Sequence, residues 1–326
     1  MILRTPGIGP VKYAELLNKF GCPAAAAESL ATAPEHIDLV KREIEHAARL
    51  DIHYICSDSE FYPANLKLVK NHPPVLTVRG RVEALRKPTI GIVGTRHATG
   101  AGMRFVHELA HEFALCGFSV ASGMAMGTDT AAHMGALASK NDSCTIAVLA
   151  GGADYIWPLE NEKLYHQILE RGAVISEMPV GTKAIANNFI QRNRWIAGIS
   201  ERLILGEADG KSGSMATAGF AIDYGRPVHA IPGHPSDSRS MGPNRLIKEG
   251  RATLCAGIGD FFETKETKSE NRTSNSDLQD LIGTIPMTES VLAELVKKNV
   301  AVVRRELVML ELGGQVRKTD SGYVKV

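Results

Sequence analysis

From about residue 89 onward the chain repeats one unit: a short apolar run, a loop rich in Gly, Ser and Thr, then a helical stretch. Residues 90–93 lead to Gly94-Thr95-Arg96-His97-Ala98-Thr99-Gly100 and a helix over about 103–116. Residues 118–121 lead to Ser122-Gly123-Met124-Ala125-Met126-Gly127-Thr128-Asp129 and a helix over about 130–139. Residues 145–149 lead to Ala150-Gly151-Gly152-Ala153-Asp154, and 173–175 lead to Ser176-Glu177-Met178-Pro179. Apolar runs at 203–205 and 228–231 complete the series. Uninterrupted apolar strands alternating with helices require an α/β fold, with a mainly parallel sheet covered on both faces. Ligands of such doubly wound sheets bind outside the carboxyl ends of the strands, near the switch in strand order. Every Gly-rich loop here follows a strand, so all of them fall on that one edge.

The flanks have a different texture. Residues 1–71 read as a small helical domain, in which Gly7-Ile8-Gly9-Pro10 is a glycine turn with Pro in the first turn of the helix that follows. The turn resembles a helix-hairpin-helix, which holds a DNA phosphate on backbone amides. Only one hairpin is present and its neighbours are not strongly basic, so a packing role is the simpler reading. The core domain is expected over 72–262. Residues 263–277 are polar, mixed in charge and almost without apolar side chains, the composition of a linker. Beyond it, apolar spacing at 278–282, 289–296 and 300–312 predicts three helices, and 315–326 reads as a terminal hairpin. Three helices and a hairpin make a winged-helix domain over 278–326. The helix over 300–312 carries only Arg304 and Arg305 on a mostly apolar sequence, which suits protein contact better than a DNA groove.

A net charge of +1 excludes a global positive field, so any nucleic-acid contact has to be a local patch. The five cysteines stand singly, with no C-x-x-C pair, as expected of reduced thiols in a cytoplasmic protein and not of a zinc site. No apolar run reaches membrane-spanning length.

The segment 188–217 offers two helix starts to the loop edge. Asn188 and Phe189 lead into a helix carrying Arg192, Asn193, Arg194 and Trp195; Lys211, Ser212, Gly213 and Ser214 open the next one, which continues through Thr217. Unpaired N–H groups at helix starts, with Arg and Asn beside them, make a place for anions. The dinucleotide fingerprint is absent: Gly94, Gly100 and Gly102 have the wrong spacing, and no acid ends the next strand. A P-loop is absent too, so neither cofactor is expected. A nucleotide-processing (nucleoside-monophosphate hydrolase-like) enzyme would use Glu177 or Glu207, but no base or nucleophile accompanies them. For Glu207 a loop-holding hydrogen bond is the simpler role. A nucleic-acid backbone uses the most residues, since Arg96, Lys183, Arg192, Arg194 and Lys211 fall on this edge. Phe189 is placed just before the helix as a face for a base, and a basic groove with stacking aromatics suits single strands. Trp195 reads as core packing, and His133, with no ligand-spaced partner, as a packed histidine.

Several of these stretches occur in the order found in one family. Ile92-Val93-Gly94-Thr95-Arg96, Ser122 through His133, Phe189-Ile190-Gln191-Arg192-Asn193-Arg194, Ser212-Gly213-Ser214-Met215-Ala216-Thr217 and Gly225-Arg226-Pro227-Val228 closely resemble the bacterial DNA-processing protein family, DprA or Smf. The resemblance implies an extended Rossmann-like core that binds single-stranded DNA as a homodimer. It also implies protection of incoming strands and loading of RecA recombinase during natural transformation, without catalysis. It would make Arg96 the first phosphate contact, with Gly94, Thr95, Ser122, Gly123 and Gly127 in the same loops. Lys183, Asn188, Phe189, Arg192, Asn193 and Arg194 would line the pocket, and Lys211, Ser212, Gly213, Ser214 and Thr217 would complete a phosphate cradle.

Overall fold

The structure, a computed structural model, describes residues 1–30, 34–142, 144–261, 278, 282, 287–296, 298–319 and 322–325. Two compact units are present, Met1–Phe262 and Glu263–Val326.

The first unit opens with three helices: α1 (Pro10–Phe20), α2 (Pro23–Glu28) and α3 (Pro34–Arg49). Pro10 occupies the first turn of α1, and Gly21 closes that helix in the left-handed region at φ 79°, a conformation that only glycine adopts without strain. Ile2, Ile8 and Ala26 are buried together in a small cluster of this segment.

Helix does not continue to residue 71. Ile52–Cys56 is a strand, β1, pairing antiparallel with β2 (Val75–Gly80), and the short α4 (Ala64–Lys67) lies between them. Leu66 and Val69 are buried in the same core cluster as Trp195 and Ile196. The expected boundary at 71 is therefore corrected: residues 52–71 are built into the sheet domain. The reason is visible in β1, where only Ile52 and Ile55 are buried. A half-exposed edge strand of five residues carries too little apolar pattern to be told from a helix end.

The remaining strands are β3 (Thr89–Val93), β4 (Ser119–Ser122), β5 (Thr145–Val148), β6 (Ala173–Ser176), β7 (Arg202–Leu205), β8 (Val228–Ala230) and β9 (Thr253–Leu254). They form one nine-stranded sheet in the order β1-β2-β6-β5-β4-β3-β7-β8-β9. All pairings from β6 to β9 are parallel, while β2 meets β6 antiparallel. Every residue of β3, β4, β5 and β6 is buried, as an internal parallel strand under helices on both faces requires.

The helices that follow the strands are α5 (Gly100–Leu115), α6 (Thr128–Ala138), α7 (Glu162–Arg171), α8 (Ala186–Ile199), α9 (Gly213–Asp223) and α10 (Met241–Lys248). Helix α5 buries Val106, Leu109, Ala110 and Phe113, the i, i+3, i+4, i+7 stripe of a helix seated on a sheet. The chain runs from β3 outward through β4, β5 and β6, then returns to the other side of β3 with β7. The switch in strand order thus lies between β3 and β7.

In the second unit, helices at Glu289–Leu295 and Val300–Leu312 and a hairpin of Val316–Thr319 with Gly322–Lys325 share an apolar cluster containing Leu292, Val303, Leu307 and Tyr323. The linker expected at 263–277 and most of the helix expected at 278–282 lie outside the described residues.

Candidate nucleic-acid interface

A crevice of about 300 Å3 opens at the β3–β7 switch. Gly94, Thr95, Arg96 and His97 come from the loop after β3, Ala125 from the β4–α6 connection and Asp129 from the first turn of α6. Phe189, Arg192, Asn193 and Ile196 come from α8, and Ser212, Gly213, Ser214 and Thr217 from the start of α9. Segments that the sequence scatters over more than a hundred residues meet here because each follows a strand of the same parallel sheet.

Two glycines allow the loops to touch. A Cβ on Gly94 would overlap the Thr128 side chain, and one on Gly127 would stand 2.5 Å from the Thr95 carbonyl oxygen. Gly127 also has φ +77°, which a side chain would strain. The Thr95 carbonyl accepts from the Thr128 N–H and hydroxyl, both at 3.2 Å, which pins the Arg96 turn to the first turn of α6.

Arg96 and Arg192 have opposite environments. Arg96 is exposed, and among the described residues no carboxylate pairs with it; its guanidinium lies 5.0 Å from the Trp157 ring centroid and 5.8 Å from that of Phe189. Arg192 is 5 % exposed and donates through Nη1 to the carbonyls of Val148, at 2.6 Å, and Gly123. Burial pushes the Arg192 pKa down to about 10, opposed by the neighbouring Asp129 carboxylate, so the group stays charged at neutral pH. Burial raises Asp129, against Arg192 and against amide bonds from Ala125 and Gly123. The guanidinium lies so close to Gly123 that a Cβ there would overlap it.

At the α9 start, Ser212 caps the helix end without a side-chain bond to its amides; its hydroxyl is 2.8 Å from that of Ser214, and the Thr217 hydroxyl turns back to the Gly213 carbonyl at 3.2 Å. Asn193 Nδ2 donates to the same carbonyl at 3.2 Å, tying α8 to α9. With these side chains bonded to each other, the first-turn N–H groups are what the helix offers the crevice.

Other residues expected in the site stand elsewhere. The Ser122 hydroxyl is buried and donates to the Ile92 carbonyl at 2.6 Å, inside the sheet. Arg194 donates to Tyr224 and Gln191 and covers the Trp195 ring, and Asn188 faces the Met178 sulfur. Lys183 and Lys211 are exposed and do not line the crevice. Phe189 lies inside α8, which begins at Ala186, and not just before it as expected; Ala186, Asn187 and Asn188 supply the opening turn. Trp195 is core, at 3 % exposed, and His133 is fully buried against Thr145.

Of the two carboxylates of the enzyme reading, Glu207 is engaged. Glu207 accepts from the Thr99 N–H at 2.7 Å and from the Thr99 hydroxyl, holding the Arg96 loop to the end of β7. Burial raises the Glu177 pKa, opposed by the Trp195 indole and Arg194. Sequence reasoning missed Trp157, whose ring centroid is 4.6 Å from that of Phe189 with planes at 62°. It sits in the loop after β5, at the same sheet edge, and an aromatic in a strand-end loop was the available signal.

Comparison with known proteins identifies the family. The family model described as DNA recombination-mediator protein A matches residues 53–266. Protein Smf of Escherichia coli strain K12 is 34% identical over 292 residues, covering 84% of this chain and 77% of its own. The X-ray structure of DNA processing protein A from Streptococcus pneumoniae superposes with a TM-score of 0.65 at 28% identity, over 79% of this chain and 92% of that one. DNA processing protein A from Helicobacter pylori, described for its single-stranded DNA binding mode, gives a TM-score of 0.59 at 30% identity, over 66% of this chain and 95% of its own. The matched stretch begins in β1 and runs through every loop of the crevice, so the chain belongs to the DNA recombination-mediator protein A family.

Proposed function

We propose that the protein is a single-stranded DNA-binding recombination mediator. In this reading it acts as a homodimer, protects incoming strands and loads RecA recombinase onto them during natural transformation. The observation that carries it is Arg96: an exposed guanidinium without a carboxylate partner among the described residues, lying over an aromatic pair at the mouth of the crevice.

A phosphate at Arg96 gains a charge-assisted hydrogen bond and faces the N–H groups that open α9. Phe189 supplies a ring for an unpaired base, which a duplex keeps inside its stack. Arg192, Glu207 and the two glycines hold the wall rigid, so the cradle is formed before the strand arrives. The family and the Helicobacter pylori relative's single-strand binding support this reading.

Fluorescence anisotropy with a labelled oligo-dT strand and with a duplex of equal length, each at two salt concentrations, tests it. The single strand is expected to bind more tightly, with log affinity falling by about 0.7 per log unit of salt for each phosphate neutralised. Equal affinity for the duplex, or no dependence on salt, would refute the reading.

A further inference from the structure

Trp157 belongs to none of the motifs on which the family resemblance was read, yet it packs at the candidate interface. It is half-buried, edge-on to Phe189, and the Arg96 guanidinium lies over both rings. The cleft behind the pair, lined by Gly123, Gly151 and Arg192 among others, holds only about 10 Å3 and has no room for a base. The surface a base can reach is therefore the one that Arg96 covers.

Arg96 is suited to leave that surface. It is exposed, and its attraction to the rings is weaker than a charge-assisted bond to a phosphate oxygen. A strand that draws the guanidinium to its backbone uncovers an indole face beside the Phe189 ring. Indole has the largest π-face of any side chain, and stacking on it tolerates any base.

We propose that Trp157 is a nucleobase-stacking residue, covered by Arg96 in the free protein and uncovered when Arg96 engages a phosphate. The proposal rests on the single-strand reading above and adds a second aromatic surface to it. The bland alternative is that Trp157 only props Phe189 in place.

The test measures affinity for an oligo-dT strand and for an abasic deoxyribose-phosphate strand of the same length, with the wild type, Trp157→Ala and Trp157→Phe. Trp157→Ala is expected to weaken oligo-dT binding roughly 5- to 150-fold, the range for loss of one base–aromatic stack, and to leave the abasic strand unchanged. Trp157→Phe is expected to retain most of the affinity. An equal loss on both strands, or no loss on either, overturns the proposal. A Trp157 that only props Phe189 would also spare the abasic strand, so wild-type tryptophan fluorescence separates the two, and it decides as well if Trp157→Ala does not fold. The chain has two tryptophans and Trp195 is in the core, so oligo-dT should quench the Trp157 signal and the abasic strand should not. Absence of quenching with oligo-dT bound overturns the proposal alone, whereas a wild type that binds neither strand overturns the single-strand reading itself.

Discussion

Arg192 Nη1 donates to the Val148 carbonyl oxygen at 2.6 Å, carrying a positive charge from α8 to the end of β5 beneath the crevice. The same nitrogen serves the Gly123 carbonyl at the end of β4, so one side chain joins three elements that the chain order separates. Arg96 is exposed, and in the proposed function the two arginines divide structure from recognition.

Arg192→Ala would leave two buried carbonyls without their donor and remove the positive charge near Asp129. It is expected to lower unfolding free energy by about 2–6 kcal/mol, about 1–3 for each stranded carbonyl. Urea denaturation measures this, and adding Asp129→Asn should recover part of the loss. A change under about 1 kcal/mol, typical of an ordinary surface substitution, would contradict the structural role.

Arg96→Ala should behave in the opposite way. Its exposure predicts a stability change within about 0.5 kcal/mol. Single-strand affinity should fall and the log–log salt slope should shrink by about 0.7, one phosphate contact. An unaltered slope in a folded variant would remove Arg96 from the interface.

Glu207→Ala takes away the acceptor for both the amide and hydroxyl of Thr99. The expected cost is about 1–3 kcal/mol for the stranded donors. Hydrogen exchange at the Thr99 amide should accelerate, because the loop loses its tie to β7. Unchanged exchange at that amide would show that the tie is dispensable.

Stability should also fall in mild acid. His133 is fully buried; its Nδ1 is 2.7 Å from the Thr145 hydroxyl, which itself donates to the Val120 carbonyl, so Nδ1 carries the proton and Nε2 is left without a partner. Burial lowers the pKa from 6.5 to about 3, with the Arg192 charge adding to the shift. The unfolded chain takes up a proton below about 6.5 and the folded one does not, so the stabilisation is complete above that pH and is lost as pH falls. The slope contributed is about 1.4 kcal/mol per pH unit. His229, lowered mainly by burial, acts in the same direction. Urea midpoints between pH 7.5 and 5 should show the decline, and His133→Gln should flatten it; identical slopes would exclude His133 as the source.

The parallel sheet and its loop edge were legible from sequence because β3 to β6 are buried on both faces and read as continuous apolar runs. Strand-end loops of such a sheet must share one edge, so the sequence alone brings Gly94-Thr95-Arg96 and Ser212-Gly213-Ser214 together. The roles within that edge were not legible. Arg96, Arg192 and Arg194 are the same letter in a one-dimensional string, and only the tertiary structure decided that one is exposed over two rings, one is buried on carbonyls and one is turned to Tyr224. Burial and hydrogen-bond partners depend on which distant backbone lies opposite, information that local periodicity does not contain. Ile52–Cys56 and Trp157 escaped for the same reason: an edge strand and a loop aromatic acquire meaning only from neighbours, Val75–Gly80 and Phe189, that the fold supplies.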